Sequence, residues 1–272
     1  MLGPVKSGVQ WNWAAYGKHP SAKDYFRIGP ESPLSKSFSD WVDRGYRDVV
    51  SRNYSGRAPV AWRFWARGAG RESLACGLLK DSSDSLGRPY PFLVIGSGCL
   101  KDWESQWDLL PIACEKPWGG MEYLSSRAFE DLRTLETAVR NLRPPFPDWT
   151  GFSRKMEILM RKSNCSSETG GCQWDAGDPA GGEAGIIRLD RETFHDRCAL
   201  IRMWHRLLRR RDNTAPNAIF MGGTFERSYM AFFKRPLLTG DFVRLWSIST
   251  GSGKCIAGNA LNRRCGKFDL PI

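Results

Sequence analysis

Three stretches of the chain repeat apolar residues at spacings of three and four, the period of a helix with one buried face. In residues 35–50 the apolar positions are Phe38, Trp41, Val42, Tyr46, Val49 and Val50, with Ser37 or Ser39 as a candidate cap. In 125–142 they are Phe129, Leu132, Leu135, Val139 and Leu142, and in 191–211 they are Phe194, Cys198, Ile201, Trp204 and Leu208. A mixed aromatic segment at 100–114 holds a further helix. Short apolar runs at 9–16, 59–67, 74–79 and 91–96 read as strands of a mostly antiparallel sheet, with 81–89 as a connecting loop. Runs at 218–221, 229–233 and 243–248 predict three more strands. The pattern is therefore α/β.

Proline and glycine divide this pattern. Pro144-Pro145-Phe146-Pro147 stops the second helix, because proline cannot continue it. That cluster suggests a boundary between a domain over 1–145 and a smaller carboxy-terminal α/β lobe over 146–272. Within the lobe, 161–185 is rich in Ser, Gly, Asp and Glu and reads as a mobile loop. The tail from Thr250 is rich in Gly, Asn and Arg and reads as poorly ordered.

Two blocks break the alternation. One is Tyr16-Gly-Lys-His-Pro-Ser-Ala-Lys-Asp-Tyr-Phe-Arg27, and the other is Asp84-Ser-Leu-Gly-Arg-Pro-Tyr-Pro-Phe92. Each packs glycine, proline, charge and aromatics together, as loops held by a rigid scaffold do, and such loops carry recognition more often than packing. Gly17, Pro20, Gly87 and Pro91 read as the structural turn positions. Lys18, Asp24, Arg27, Asp84 and Arg88 are the candidates either for contacting a partner or for locking the two loops together.

Charge and chemistry change this picture little. The net charge of +11 invites a nucleic-acid reading, but the cations are dispersed. The one dense run, Arg209-Arg210-Arg211, ends a helix, where cations complement the dipole. No apolar run reaches the ~20 residues that span a bilayer, and the first residues lack the apolar core of a signal peptide. The chain thus reads as cytoplasmic, with Cys76, Cys99, Cys114 and Cys198 as small buried hydrophobes. Cys165 with Cys172, and Cys255 with Cys265, are spaced too widely for a zinc knuckle and have no histidine nearby, so no metal or other cofactor is expected. Of the three histidines, His195 and His205 read as solvated helix residues, and His19 as a turn residue. Asp81 and Asp84 flank a turn, where aspartate commonly bonds its own backbone. No nucleophile elbow and no phosphate-binding glycine loop is present.

Together the blocks resemble the TagF (ImpM) family of type VI secretion-associated proteins. The first block resembles that family's Tyr/Phe-Gly-Lys-x-Pro-x-x-Gly-Asp-Phe stretch through Tyr16, Gly17, Lys18, Pro20 and Asp24, with Lys23 in place of the glycine. Ser39-Asp-Trp-Val42 matches its Trp-bearing helix. Pro59-Val-Ala-Trp-Arg-Phe64 matches its Pro-x-Trp-Arg-Phe strand with one added residue, and Ser82 to Pro91 carries its Asp-x-x-Gly-Arg loop. The resemblance covers about residues 11–142. It implies a longin-like fold, a central antiparallel sheet flanked by helices. It also implies a non-catalytic accessory protein that represses type VI secretion post-translationally. The implied partner is the forkhead-associated scaffold protein, with a phosphatase encoded nearby as a further one, and no nucleic acid or membrane insertion. Two other readings compete: a small hydrolase-like enzyme with a polar site of Asp24, Asp84 and His19, and a nucleic-acid binder using the face from Arg202 to Arg211.

Overall fold

The computed structural model describes residues 11–52, 58–162, 182–189 and 197–248. Among the described residues eight strands form one antiparallel sheet: β1 (Asn12–Gly17), β2 (Phe26–Ile28), β3 (Ala61–Arg67), β4 (Ser73–Lys80), β5 (Phe92–Cys99), β6 (Ala184–Arg188), β7 (Ala218–Gly223) and β8 (Ser228–Phe233). Their order is β2-β1-β5-β4-β3-β7-β8-β6. The sheet crosses the proline cluster without a break, because β3 pairs with β7 from Ala61↔Gly223 to Ala66↔Ala218. The carboxy-terminal strands thus extend the amino-terminal sheet at its β3 edge.

Strand residues alternate between the two faces, as a pleat requires. Trp62, Phe64 and Ala66 of β3 face one core with Leu93 and Ile95 of β5. Trp65, Leu78, Phe92 and Val94 face the other. Two helices cover the first core: α1 (Pro33–Ser51) and α7 (Thr239–Trp246). A 3-10 helix (Trp103–Leu109) and helices α2 (Leu110–Ala113), α3 (Glu115–Ser126), α4 (Leu132–Arg140), α5 (Trp149–Lys162) and α6 (Arg197–Arg211) lie on the second side.

Helix α1 follows its sequence pattern. It buries Phe38, Trp41, Val42 and Val49, each burial stabilising by about 1.5–3 kcal/mol relative to exposure. Its cap is Ser32, not Ser37 or Ser39. The Ser32 hydroxyl accepts the Ser35 N–H, and Ser35 returns the bond to the Ser32 N–H. Pro33 fits the first turn, where its missing N–H costs nothing. The helix expected at 125–142 is two elements instead. Helix α3 ends at Ser126, and α4 starts at Leu132 under an Asp131 cap whose carboxylate accepts the Thr134 N–H at 2.8 Å. The strand expected at 243–248 is α7, whose face Phe242, Val243, Leu245 and Trp246 is buried against α1. Helix α5 was not anticipated. Of the mobile loop expected at 161–185, residues 161–162 are the end of α5 and 184–185 the start of β6, while 163–181, like the tail from Thr250, lie outside the described residues.

Among the described residues no helix is long and apolar enough to cross a membrane. Cys76 and Cys114 are buried free thiols, and burial, with Cys114 beside it, pushes the Cys76 thiol up. Cys99 is exposed, against expectation, because it is the last residue of β5 and lies beyond the core. The side chain of Cys198 and all of Cys165, Cys172, Cys255 and Cys265 lie outside the described residues.

Candidate functional site

The two blocks meet at one end of the sheet. Strand β1 pairs with β5 down to Gly17↔Phe92, so the chain leaving β1 runs beside the chain entering β5. Gly17 has φ 113°, and a Cβ there would lie 1.9 Å from the Pro91 carbonyl oxygen, so only glycine lets the loops approach this closely. The Lys18 N–H then donates to that carbonyl at 3.4 Å, and the Ser85 N–H donates to the Ala22 carbonyl at 2.9 Å. Gly87 completes the second turn with φ 77° in open space.

Asp84 is the centre of this junction. Its side chain is fully buried and accepts the Leu86 and Arg88 N–H groups, both at 3.0 Å. Lys18 Nζ lies 2.9 Å away and Arg88 Nε 2.7 Å. Burial pushes the Asp84 carboxyl up, but the Lys18 and Arg88 side chains and the two backbone donors outweigh it and hold it at about 2. Arg88 also donates to the Lys23 carbonyl at 2.7 Å and pairs with Asp24 at 3.4 Å, so it ties the second loop to the first. Arg27 lies apart from this group. Its guanidinium bonds Glu31 and sits 5.2 Å from the Tyr16 ring centroid. Pro20 sits on the exposed turn of the first block.

A second cluster lines the same end of the sheet, and the sequence reading did not single it out. The Tyr16 hydroxyl is 2.7 Å from both carboxylate oxygens of Asp43 on α1, and the Tyr90 hydroxyl donates to the same carboxylate. Burial, then Asp43, pushes both phenols well above the ordinary tyrosine range, so they stay protonated donors. Tyr25 packs edge-on against Tyr16 and Tyr90, and Tyr46 of α1 against Tyr90. The available signal was the tyrosine in each block. What the sequence withholds is that α1 brings Asp43 between them.

The enzyme constellation does not come together. His19 is buried, not a solvated turn residue, and both ring nitrogens are engaged. Its Nδ1 accepts the Ser21 N–H at 3.2 Å, so Nε2 donates to the Leu124 carbonyl at 3.1 Å. Burial lowers its pKa and favours that neutral tautomer. A base needs a free nitrogen within reach of the proton it takes, and Asp24 and Asp84 are held by Arg88 instead. Among the described residues, no group of three or more His, Cys, Asp or Glu side chains is placed to hold a metal ion. Asp81 caps a strand start by accepting the Val60 N–H at 2.8 Å.

The other two histidines and the basic helix also need revision. His205 is fully buried, not solvated. Its Nε2 accepts the Trp65 indole N–H at 3.2 Å, so its Nδ1 donates to the Ile201 carbonyl at 2.8 Å, and burial pulls its pKa down to about 4. His195 lies outside the described residues. Along α6, Arg202 pairs with Glu115 at 3.0 Å, and Arg206 and Arg209 both bond the fully buried Asp108, Arg206 at 2.8 Å. Arg202, Arg206 and Arg209 are thus engaged in internal ion pairs, while Arg210 and Arg211 are exposed.

No curated protein matches the chain. The crystal structure of PA0076 from Pseudomonas aeruginosa PAO1 is similar, with 16% identity and a TM-score of 0.49 over 94% of this chain and 99% of that one. A family model, the TagF N-terminal domain, type VI secretion system-associated, matches residues 14–143, a span that holds both blocks, the Asp84 junction and α1 to α4. Residues 14–143 are therefore read as a TagF N-terminal domain, type VI secretion system-associated.

Proposed function

We propose that this protein is a non-catalytic, cytoplasmic accessory factor that represses type VI secretion post-translationally by binding the forkhead-associated scaffold protein. The observation that carries the reading is the TagF N-terminal domain match over 14–143, which contains the two interlocked loops. The lock fixes a surface. Asp84 is buried beneath it, while Leu86 is 70% and Tyr25 40% exposed above, beside the half-exposed Arg88 and the exposed Asp24. An exposed leucine and tyrosine on rigid turns bind a protein with little loss of conformational freedom. A phosphatase encoded nearby is a second candidate partner, acting on the scaffold's phosphorylation state rather than on these loops.

Affinity capture with the tagged chain, in a bacterium bearing a type VI secretion cluster, tests this reading. The scaffold protein is expected among the captured components, and overexpression of the chain is expected to lower secretion. Capture of no secretion component, with secretion unchanged on deletion or overexpression, would overturn it. The hydrolase-like alternative is disfavoured by the engaged nitrogens of His19 and the Arg88-bound carboxylates. The nucleic-acid alternative is disfavoured by the ion pairs along α6.

A further inference from the structure

Between the last turn of α3 and helix α4 lies an open groove of about 520 Å³. The sequence of α4 explains its character. Leu135 and Val139 turn inward to the core, which leaves Arg133, Thr134, Thr137, Ala138 and Asn141 along the groove. Arg127 stands on the facing wall, where one guanidinium N–H donates to the Tyr123 hydroxyl and the group lies 5.5 Å from the ring centroids of both Tyr123 and Phe129, its other N–H groups being open to the groove's occupant. The far wall is anchored in the first block. The Phe129 N–H donates to Ser21 Oγ at 2.7 Å, and its ring lies 6.0 Å from that of His19.

Two guanidinium groups line this groove, and among the described residues that line it there is no carboxylate. Tyr123 is 55% exposed, a large aromatic surface next to charge. Arginine with aromatic rings suits carboxylates interleaved with apolar side chains, the chemistry of an acidic protein segment. A continuous polyanion fits less well. Asp131 accepts from the Thr134 N–H and hydroxyl and acts electrostatically on Arg133, and Glu136 pairs with Arg140 at 2.6 Å, so acidic groups border the lining and a long phosphate track running past it meets them.

We propose that this groove docks an acidic, aromatic-containing segment of a protein partner, with Arg127 and Arg133 taking its carboxylates and Tyr123 and Phe129 its apolar side chain. This deepens the reading of the chain as a binding protein by assigning the chemistry of one partner segment, and it places that segment beside the loop surface rather than on it.

Fluorescence anisotropy with the purified full-length chain tests the proposal. The probe is a short labelled peptide of alternating glutamate and phenylalanine, with a lysine–phenylalanine peptide as its counterpart. Saturable binding of the acidic peptide is expected, weakened at least tenfold in the Arg127→Glu/Arg133→Glu variant, because each lost charge-assisted bond is replaced by repulsion. The Arg127→Lys/Arg133→Lys variant retains part of the affinity, which separates loss of charge from loss of fold. Absence of binding, equal binding of the lysine peptide, equal affinity in the charge-reversed variant, or displacement by a short DNA as readily as by unlabelled peptide would each overturn the proposal. The assay needs no secretion component. Its failure leaves the secretion reading standing, and a null capture experiment leaves the groove standing.

Discussion

Asp84 and Asp108 are both fully buried carboxylates held by two cations, yet they do different work. Asp84 is satisfied almost locally, by Arg88 four residues on, by two backbone N–H groups of its own turn, and by Lys18 from the neighbouring loop. Asp108 is satisfied by Arg206 and Arg209, about a hundred residues away on α6, so it joins the TagF N-terminal domain to the rest of the chain. His205, bonded to Trp65 across 140 residues, belongs to the same seam. One carboxylate shapes a surface and the other fastens two parts of the molecule. The seam should therefore govern global stability, and the loop junction should govern recognition.

The largest effect that sharpens this contrast is Asp108→Ala. Removing one partner of a buried ionic group leaves the others uncompensated, so a loss of about 3–5 kcal/mol is expected. By calorimetry this is a fall in Tm of roughly ten degrees. A loss below ~1 kcal/mol would mean that α6 is fastened by packing alone.

Acid titration separates the two regions further. His205 has its folded pKa lowered to about 4 from the ordinary histidine value, so the folded state resists its protonation. Its contribution is present above pH ~6.5 and is lost as pH falls towards 4, on the order of 3 kcal/mol in all, with His19 acting in the same direction. Asp84, held at about 2, contributes above the unfolded carboxylate value of ~4 and is lost as pH falls from there to about 2. Denaturant unfolding across pH is expected to show both slopes. His205→Gln should flatten the upper one and Asp84→Asn the lower. An upper slope unchanged in the glutamine variant would contradict the burial of a neutral imidazole.

The smallest stability effect is expected at the loop junction itself. Asp84→Asn keeps an acceptor for the Leu86 and Arg88 N–H groups, and Arg88 is half exposed and can turn to water. The cost falls on the largely buried Lys18, whose charge partner is lost while a hydrogen-bond acceptor stays. The variant's Tm should fall less than that of Asp108→Ala, with increased amide exchange confined to residues 18–25 and 84–91. Exchange spreading into β4 and β5 would show that the junction supports the sheet as well as the surface.

What was legible in the sequence follows the same division. Helix α1 and the first strands could be read because their periodicity is long and their punctuation local. The second loop could be read because Gly87 and Asp84 shape their own turn, whereas the close contact that requires Gly17 is with Pro91 of the other block. Helix α7 was misread as a strand because a short apolar run looks the same in either state, and only its packing on α1 decides between them. The 125–142 segment reads as one helix because apolar spacing continues through the break, although Asp131 three residues before Thr134 is the local signal that the helix restarts. Asp108, His205 and Asp43 were beyond reach, since each depends on a partner that only the tertiary fold supplies.

The most direct test is capture of the forkhead-associated scaffold protein by three forms of the chain at a temperature where all are folded: wild type, Tyr25→Ala/Leu86→Asp, and Asp108→Ala. The account predicts capture by wild type and Asp108→Ala and at least a tenfold loss in the loop variant, which is compared with them only in its folded state. Undiminished capture by Tyr25→Ala/Leu86→Asp would contradict it.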